Sequence, residues 1–408
     1  MSVAKKTSIS DPSLPFRGTG GSGGRSLIIF NSHPIQYFAP LYRYLASEGV
    51  KLEVLYYHGK EQAGKYDKEF GQSVQWDLPL LDGYPHKFLK NCGFTKIESK
   101  GFFSLINPGL IRYLFKQPKS LVVIHSWQYA TDWLAIIFAK LAGHRLALWT
   151  EVNAAQEALQ PKWKQRLKAL FLKSLFLFVR EFWCIGSENR CFYNQLGVDP
   201  GKLKSTPYSV DNARFQEVAA SLSKLEARGQ LGLNAEAFIV LFAGKYIAKK
   251  RPMDLLQAFA GITQANAKLV MVGEGMLRGE MTDFIACHSL QDRVSLTGFV
   301  NQTEIPLYYR AADLFVMCSG NGETWGLSVN EAMNFSLPVL VSSLSGCSAD
   351  LVKQGVNGFV FNTGDTAALR QYLEEFILMP TAELEAMGAA SLKIVSGHSF
   401  ETIRRSVV

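Results

Sequence analysis

Short apolar segments alternate with helix-like stretches along most of this chain, and this alternation limits the fold more than any other feature. The first series lies at 26–30, 51–56, 121–124, 146–149, 182–186 and 203–208. After Val210-Asp211-Asn212 a second series follows, at 238–243, 268–272, 293–297, 313–317, 338–342 and 359–361. Strands that alternate with helices form parallel sheets covered by helices. The sequence therefore predicts an α/β protein with two doubly wound, Rossmann-like parallel-sheet domains that face a central cleft.

The composition is that of an ordinary globular protein. Hydrophobic residues make up 48% of the chain and charged residues 19%, which is enough apolar material for large cores. No uninterrupted apolar run reaches the roughly 18 residues that a membrane-spanning helix needs. The six cysteines show no C-x-x-C pairing, and several lie in apolar strands. We therefore expect reduced thiols in a cytoplasmic protein.

The excess of positive charge favours anionic partners. The net charge is +8 and the pI is about 9.0, which attracts phosphorylated ligands, anionic membranes or nucleic acid. No recognisable nucleic-acid-binding module accompanies this charge, so we expect no nucleic-acid partner.

Residues 1–24 are polar and rich in glycine and serine. Because this run precedes the first strand instead of following it, the pattern predicts a flexible tail and not a phosphate-binding loop. It contains no apolar core of a secretory signal. The lack of a G-x-G-x-x-G run after the first strand also argues against a dinucleotide-dependent oxidoreductase.

Two glutamates stand eight positions apart in the second series. Glu323 follows a polar loop, and Glu331 lies in a predicted helix between strand candidates at 312–317 and 338–341. The loop is thus at the carboxyl end of a parallel strand, where open α/β sheets bind ligands. Eight helical residues span about 12 Å, near the ribose-to-hexose length of a nucleotide sugar, and the backbone N–H groups of 324–327 suit a phosphate. Taken alone, this spacing also fits two surface glutamates.

A basic loop precedes the two glutamates. The run 238–243 predicts a buried strand, and Gly244 permits a tight exit from it. Lys245 and Lys250 follow, and Pro252 opens the next helix. Ammonium groups at this position would neutralise a diphosphate and stabilise it as a leaving group. The loop alone also fits a solvated basic turn, but its combination with the paired glutamates favours a ligand site.

These motifs resemble those of the retaining nucleotide-sugar glycosyltransferases of family 4, which have the GT-B fold. The family pattern is a Gly-Arg-Leu loop with a lysine five residues past the arginine, then E-x7-E with an aromatic-Gly pair after the first glutamate. This chain offers Gly244-Lys245-Tyr246 with Lys250, then Glu323, Trp325-Gly326 and Glu331. Further matching segments are 185–190, 207–211, 272–275, 296–300 and 312–315. The resemblance covers nearly the whole chain after residue 25.

The resemblance implies a role for individual residues. It makes Lys245 and Lys250 the cations that bind the diphosphate, although Lys245 stands where most members have arginine, and a lysine is a point charge and not a fork. It places Glu331 on the donor ribose and Glu323 near the donor sugar. The other donor contacts that it implies are Gly244, Gly273, Trp325, Gly326 and Leu327, with Phe299 and Val300 beside the nucleobase. For Gly273 a packing turn is the alternative.

The resemblance also divides the chain. Residues 25–208 would bind the acceptor and residues 209–392 the donor, and residues 393–408 would cross back onto the first domain.

Four polar residues at strand ends are candidates for the acceptor side of the cleft. His33 and Gln36 follow the first strand, and Glu151 follows the strand at 146–149. His125 follows the strand at 121–124 and resembles the cleft histidine of the family, which contacts the sugar; it is also a candidate proton carrier. A buried, hydrogen-bonded histidine is the structural alternative for His33 and His125.

A basic amphipathic stretch lies in the N-terminal half. Residues 162–173 carry lysine and arginine among apolar side chains, with Trp163 near the start. Such a helix can lie on an anionic membrane surface, which suggests peripheral docking at the inner face of the membrane to reach a lipid-linked acceptor. A packed helix with a solvated basic edge is the alternative.

The implied reaction is transfer of a hexose, with retention, from a UDP or GDP sugar to a hydroxyl of a sugar, lipid-linked or small-molecule acceptor. Such a reaction belongs to polysaccharide, cell-wall or glycolipid biosynthesis. We see no side chain suited to act as a covalent nucleophile and no suitably placed Asp-x-Asp motif, so we expect neither a metal nor a cofactor, with cationic side chains in the metal's place. Two alternatives stay open: a non-catalytic nucleotide-sugar-binding module, and a nucleotide-sugar epimerase or phosphorylase of the same fold.

Overall fold

The computed structural model describes residues 25–59, 65–67, 69, 71–99 and 101–408. The predicted tail at 1–24 lies outside the described residues.

A seven-stranded parallel sheet forms the N-terminal domain, with a small antiparallel hairpin beside it. In chain order the strands are β1 Leu27–Asn31, β2 Leu52–Tyr56, β3 Lys65–Asp67, β4 Gln72–Val74, β5 His86–Phe88, β6 Leu121–Ile124, β7 Arg145–Leu148, β8 Glu181–Cys184 and β9 Leu203–Ser205. The sheet order is β5-β2-β1-β6-β7-β8-β9, and β3 and β4 form the hairpin. The order reverses between β1 and β6, so the loops at their carboxyl ends diverge and leave a crevice.

The C-terminal domain is built on a six-stranded parallel sheet. Its strands are β10 Phe238–Ala243, β11 Ala267–Val272, β12 Val294–Leu296, β13 Leu314–Met317, β14 Val339–Ser342 and β15 Gly358–Phe361. The order is β12-β11-β10-β13-β14-β15, which reverses between β10 and β13. The predicted basic loop follows β10 and the loop with Glu323 follows β13, so both lie at this second reversal point. The prediction of two parallel-sheet α/β domains is confirmed.

Helices connect the strands of both sheets. They are α1 Phe38–Ser47, α2 Gly109–Lys116, α3 Ala130–Leu141, α4 Ala154–Ala158, α5 Lys162–Phe176, α6 Ser187–Gln195, α7 Asn212–Ser221, α8 Lys224–Gln230, α9 Pro252–Ala260, α10 Arg278–Cys287, α11 Ile305–Ala311, α12 Leu327–Met333, α13 Ser348–Leu351, α14 Thr366–Leu378, α15 Thr381–Ser396 and α16 Phe400–Val407. Most predicted strands agree with the observed ones to within one or two residues. The hairpin and β5 were not predicted, because their three-residue strands are too short for a recognisable apolar pattern.

The central strands are buried on both faces, as parallel strands between two helical layers must be. The largest apolar cluster runs from one domain into the other. Trp149 and Trp183 of the first domain belong to it, and so do Trp325 and Met333 of the second. Burial of this apolar surface favours the closed arrangement of the two domains.

The last helix returns to the N-terminal domain. In α16 the ring of Phe400 lies 5.9 Å from that of Tyr44 in α1, and the Tyr44 hydroxyl donates a hydrogen bond of 2.8 Å to Glu401. The predicted domain boundary between residues 392 and 393 falls inside α15. This helix continues to Ser396, and the chain leaves it only at Gly397.

No helix among the described residues is both long enough and apolar enough to cross a membrane. All six cysteines are free. Cys184, Cys318 and Cys347 are buried, as expected of core thiols, whereas Cys92, Cys191 and Cys287 are exposed.

Candidate active site

Lys250 and Glu323 form an ion pair between the loops that follow β10 and β13. Their side chains are only 17% and 9% exposed. Burial acts to raise the pKa of Glu323, but the ammonium groups of Lys250 and Lys249 outweigh it and hold that pKa below its usual value. The carboxylate is therefore ionised at neutral pH, and the structure brings together two residues that the sequence marked for the donor site.

Backbone contacts tie the two loops to one another. Lys250 ends a short 3-10 turn, and Arg251 follows in a left-handed conformation before Pro252 starts α9. Gly320 donates a backbone hydrogen bond of 2.7 Å to the carbonyl of Lys249. The positions of the lysine and the glutamate are thus coupled through the main chain as well as through charge.

The loop with Glu323 turns into α12 at Gly326. This residue has a φ of 112°, and a Cβ added to it would lie 2.6 Å from the sulfur of Met317. A larger residue would meet both backbone strain and a steric clash. Gly326 is therefore needed to bring α12, which begins at Leu327, close against β13.

Glu331 lies one helical turn inside α12 and is 3% exposed. Its Oε2 accepts a hydrogen bond of 2.7 Å from the Tyr309 hydroxyl. Its Oε1 is buried and receives no hydrogen bond of good geometry from the described residues. Burial raises the pKa of Glu331, although Arg214 and Tyr37 act in the opposite direction. A buried polar atom without a partner is uncommon in folded proteins, so this oxygen is a candidate acceptor for a ligand hydroxyl.

Lys245 meets a carboxylate of the opposite domain. Its Nζ lies 2.7 Å from Oε2 of Glu69, which follows the hairpin strand β3. The prediction placed Lys245 on a diphosphate, and an anionic oxygen indeed faces it here, but that oxygen belongs to the protein. Sequence reasoning missed Glu69 because nothing local connects it with a residue of the other domain.

The segment predicted to line the nucleobase is covered by a short piece of the N-terminal domain. The ring of Phe299 lies 5.9 Å from that of Trp76. Asn301 donates a hydrogen bond of 2.8 Å to the carbonyl of Gln75, and the backbone N–H of Thr303 donates one of 3.0 Å to Asp77. Beside Phe299, the partly buried Val300 packs against the main apolar cluster.

Gly273 allows three backbone segments to come together. Its φ is 152°, and a Cβ there would lie 1.9 Å from the carbonyl oxygen of Gly244. Its N–H donates a hydrogen bond of 3.0 Å to the carbonyl of Gly298. The packing alternative thus accounts for Gly273, whereas Gly244 has room for a Cβ.

Trp325 belongs to the contact between the domains. Its side chain is 2% exposed, and its Nε1 donates a hydrogen bond of 2.8 Å to Asn330. A Cβ added to Gly186 of the N-terminal domain would lie 2.4 Å from the indole ring. The predicted donor contact is therefore corrected for this side chain, since packing leaves it almost no surface for a ligand.

His33 and Gln36 lie, as predicted, in the loop at the carboxyl end of β1. Nδ1 of His33 is 2.9 Å from the Ser32 hydroxyl, and its ring stacks at 5.3 Å on that of His58. Gln36 is half-buried. The same loop ends at the half-buried Tyr37, where desolvation of the phenol and the carboxylates of Glu331 and Glu323 in the other domain raise the pKa.

His125 is enclosed by aromatic rings. Its ring lies 4.7 Å from Phe38 and 4.9 Å from Trp149, and its Nε2 is 3.1 Å from the Tyr42 hydroxyl. Burial lowers the pKa of His125 to about 3. The ring is neutral at pH 7, so it is able to orient a hydroxyl but is poorly suited to the predicted role of proton carrier.

Glu151 bridges the domains beside the donor loop. Its Oε2 accepts a hydrogen bond of 2.9 Å from the Thr324 hydroxyl, and its Oε1 accepts one from the hydroxyl of Tyr208. This differs from the expected position on the acceptor, because both carboxylate oxygens are engaged by the protein.

A residue that the sequence did not mark, Gln156, lies next to Glu151 in this contact. Its amide bonds to the backbone of the loop with Glu323. A glutamine in the five-residue helix α4 carries no local sequence signal that could have identified this contact.

Among the described residues, no three His, Cys, Asp or Glu side chains lie together as metal ligands would.

Comparison with known proteins agrees with this architecture. A model of the family described as glycosyl transferases group 1 matches residues 223–393, which include Lys245, Lys250 and both glutamates. The chain is 27% identical over 236 residues to a D-inositol 3-phosphate glycosyltransferase from Kineococcus radiotolerans, with 52% of each chain covered. It is 26% identical over 168 residues to an alpha-monoglucosyldiacylglycerol synthase from Acholeplasma laidlawii, with 40% of this chain and 42% of the relative covered. The chain thus spans about half the length of these curated relatives.

Solved structures share the fold over nearly the whole length. Sucrose-phosphate synthase from Thermosynechococcus elongatus superposes with a TM-score of 0.72 at 18% identity, covering 93% of this chain and 96% of that one. Anabaena HepE in complex with UDP and glucose gives a TM-score of 0.68 at 16% identity, covering 93% and 97%. Together with the two facing parallel-sheet domains, these superpositions show that the chain has the GT-B fold, and its residues 223–393 match the glycosyl transferases group 1 family.

Proposed function

We propose that this protein transfers a hexose from a nucleoside diphosphate sugar to a hydroxyl acceptor, with retention of configuration. The observation that carries the proposal is the buried Lys250–Glu323 ion pair beside Glu331, which keeps one carboxylate oxygen without a hydrogen bond. A cation that can meet a diphosphate thus lies in the loop after β10, and a carboxylate that can accept ribose hydroxyls lies in α12, the helix that follows the loop with Glu323. This spacing suits the two ends of a nucleotide sugar.

In the proposed reaction the bond between the anomeric carbon and the diphosphate oxygen breaks. The acceptor hydroxyl forms its new bond on the same face of the sugar, and its proton passes to the departing diphosphate oxygen. The lowered pKa of His125 supports this route for the proton, because a neutral, buried histidine is a weak base. Lys250 and Lys245 stabilise the negative charge that develops on the leaving group.

Glu323 holds Lys250 before the donor binds and then faces the sugar. In the donor complex the ammonium group contacts both the carboxylate and the diphosphate, so the ion pair orients the lysine in advance. Lys245 exchanges Glu69 for a phosphate oxygen when the donor enters. We propose that these cations act without a metal ion; full activity in EDTA supports this, and a loss that Mn²⁺ restores contradicts it.

The nucleotide and the acceptor are narrower proposals. The HepE structures contain UDP and, in one case, UDP-glucose, which makes UDP sugars the first donors to test. One relative is named a monoglucosyldiacylglycerol synthase, which supports a glycolipid or other lipid-linked acceptor. The cytoplasmic side of a membrane is where nucleotide sugars and such acceptors meet.

The surface of α5 supports contact with a membrane. Its buried stripe consists of Leu172, Leu175 and Phe176. A second apolar stripe on the opposite side of the helix is exposed: Trp163, Leu167, Leu170 and Phe171 are 65%, 63%, 69% and 53% exposed. Lys162, Lys164, Arg166 and Lys173 flank this stripe and are exposed as well.

An exposed apolar stripe flanked by cations matches the interface of an anionic bilayer. We propose that α5 docks this protein peripherally on anionic lipid, which brings the cleft near a lipid-linked acceptor.

The experiment that tests the function is a thermal shift of the purified protein against a panel of UDP and GDP sugars, followed by product analysis with the donor that binds. A single donor that stabilises the protein and is turned over with an acceptor, giving an anomer of unchanged configuration, supports the proposal. Binding without turnover on any acceptor indicates a nucleotide-sugar sensor. Conversion of the donor alone, with water or with phosphate, indicates an epimerase, a hydrolase or a phosphorylase.

A further inference from the structure

The side-chain amide of Gln156 in α4 holds the loop of the opposite domain that carries Glu323. Its Nε2 donates hydrogen bonds of 2.7 Å to the carbonyl of Glu323 and of 3.3 Å to that of Leu344. Its Oε1 accepts one of 3.2 Å from the N–H of Gly322. All three partners are backbone groups, and two of them belong to adjacent residues. The amide therefore binds the backbone on both sides of the peptide bond that joins Gly322 to Glu323.

The segment that carries Gln156 is itself anchored within the N-terminal domain. Asn153 caps α4 by accepting a hydrogen bond of 3.1 Å from the backbone N–H of Gln156. Glu188 accepts one of 2.9 Å from the N–H of Ala155, and Asn189 donates one of 2.7 Å to the carbonyl of Val152. These contacts fix the start of α4 on α6. Gln156 thus connects a fixed element of one domain with a loop of the other.

Within its own domain, the loop that Gln156 holds is restrained by backbone hydrogen bonds from Gly320 to Lys249, from Glu323 to Gly320 and from Gly346 to Glu323. Gly320 and Gly322 stand before Glu323, and Gly322 has a φ of 94°, so the backbone is intrinsically free to take several conformations. The Glu323 carboxylate must nevertheless face Lys250, since a buried carboxylate without its cation is costly. The hydrogen bonds of Gln156 add a restraint from the opposite domain to the backbone of Gly322 and Glu323.

We infer that Gln156 is a positioning residue for Glu323, so that the carboxylate is correctly placed only while the N-terminal domain is closed on the donor loop. This inference rests on the proposed function, because Glu323 must take part in the reaction for its position to affect the rate. Gln156 itself touches neither the ammonium group nor the site of the transferred sugar; it acts through the backbone of Gly322 and Glu323.

Two substitutions separate the hydrogen bonds from the volume of the side chain. Gln156→Met keeps the length of the side chain and removes all three hydrogen bonds. Gln156→Glu keeps the acceptor for Gly322 but sets a carboxylate oxygen against the carbonyls of Glu323 and Leu344. The matched control is Gln165→Met in α5, because Nε2 of Gln165 also donates to two backbone carbonyls, those of Ala158 and Gln160 at 3.3 and 2.7 Å, but within its own domain.

The first measurement is steady-state kinetics with donor and acceptor over a range of pH. We expect Gln156→Met to lower kcat by roughly ten- to a hundredfold with a smaller change in KM, and Gln156→Glu to lower it further. Because Glu323 moves away from Lys250, its pKa rises, so the acidic limb of the pH profile shifts to higher pH in both variants. Gln165→Met keeps the wild-type kcat and pH profile.

The second measurement does not depend on activity. Hydrogen–deuterium exchange of the peptide that contains 320–326 should become faster in Gln156→Met and stay unchanged in Gln165→Met, with thermal unfolding showing that both variants are folded. Faster exchange with unchanged kcat and pH profile overturns the inference, and so does unchanged exchange. If the wild-type protein turns over no nucleotide sugar, the proposed function fails and the inference falls with it; if the wild type is active and the two methionine variants behave alike, only the inference fails.

Discussion

The ammonium group of Lys245 lies 2.7 Å from the carboxylate of Glu69 on the other side of the cleft. A side-chain anion therefore faces the cation where the proposed diphosphate would bind. The donor must displace this carboxylate, and the ion pair competes with binding. The contact links the position of the hairpin strand β3 and its neighbouring residues to the occupancy of the donor site.

We predict that Glu69→Gln binds the donor nucleotide more tightly than the wild type. The gain is at most about fivefold, because a partly exposed ion pair is worth no more than about 1 kcal/mol. Calorimetric titration with the nucleoside diphosphate measures it. The matched control is Glu374→Gln, which removes a surface ion pair with Arg370 on α14 and leaves the affinity unchanged. Weaker binding by Glu69→Gln would show that this carboxylate assists the donor instead of competing with it.

Removal of the Lys250 ammonium group should impair both activity and stability. In Lys250→Met the Glu323 carboxylate stays buried without its cation, which costs about 3 kcal/mol of unfolding free energy. Loss of leaving-group stabilisation lowers kcat/KM by roughly a hundredfold or more. Urea denaturation and steady-state kinetics measure the two effects.

The neighbouring lysine supplies the control for that variant. Lys249 also lowers the pKa of Glu323, but its side chain is exposed, so Lys249→Met should have a much smaller effect on both quantities. Equal effects of the two substitutions would mean that general positive charge, and not the paired ammonium group, supports the site.

The lowered pKa of His125 makes the stability of the fold depend on pH. The pKa is about 3 in the folded protein and 6.5 in the unfolded chain, so the unfolded state binds the proton first as the pH falls. The free energy of unfolding that depends on a neutral His125 is fully present above pH 6.5 and is lost as the pH falls toward 3. The loss is at most about 1.4 kcal/mol per pH unit.

Replacement of that histidine tests the sign of the effect. We predict that His125→Gln flattens the dependence of unfolding free energy on pH in this window, measured by urea denaturation at several pH values. His144→Gln is a control at a buried histidine elsewhere in the domain; because this variant keeps His125, we expect the pH slope of its unfolding free energy to match that of the wild type. A slope that is the same in His125→Gln and the wild type would contradict the neutral state of this ring.

Docking of α5 predicts that the protein sediments with anionic vesicles. Replacing Lys162, Lys164 and Arg166 with glutamate should abolish co-sedimentation with vesicles that contain phosphatidylglycerol. The substitutions replace electrostatic attraction to the anionic lipid by repulsion. Leu170→Ser should weaken binding without a change of charge.

A control of equal charge separates local from general electrostatics. Glutamate substitutions at the exposed residues Arg145, Lys353 and Lys393 change the net charge by the same amount away from α5. This variant should still co-sediment. Unchanged co-sedimentation of the α5 variant would exclude α5 as a membrane-docking surface.

Much of the fold could be predicted because the determining signals are local. The apolar run at 238–243 and the strand that follows at 267–272 are buried between helical layers, and such strands are recognisable without knowledge of their neighbours. Because the strands are parallel, the loops at their carboxyl ends lie at one edge of the sheet. That geometry places the loops with Lys250 and Glu323 at the same edge of the sheet.

What sequence reasoning missed are contacts between the domains. Glu69, Trp76 and Gln156 each contact a loop more than 160 positions away in the chain, and no local pattern of charge or hydrophobicity encodes such a pairing. The sequence also leaves the role of Trp325 open, because an aromatic residue beside a predicted site can contact a ligand or pack in a domain interface. In the structure the close approach of Gly186 to the indole ring shows that Trp325 packs in the interface.

The central claim is that Lys250, Lys245 and the two glutamates surround a nucleoside diphosphate. A crystal structure of this protein with UDP or GDP tests it most directly. We predict density for the diphosphate beside the Nζ atoms of both lysines, and ribose hydroxyls within hydrogen-bond distance of Oε1 of Glu331, the oxygen that lacks a partner. A nucleotide bound elsewhere, or with its ribose away from Glu331, would contradict the account.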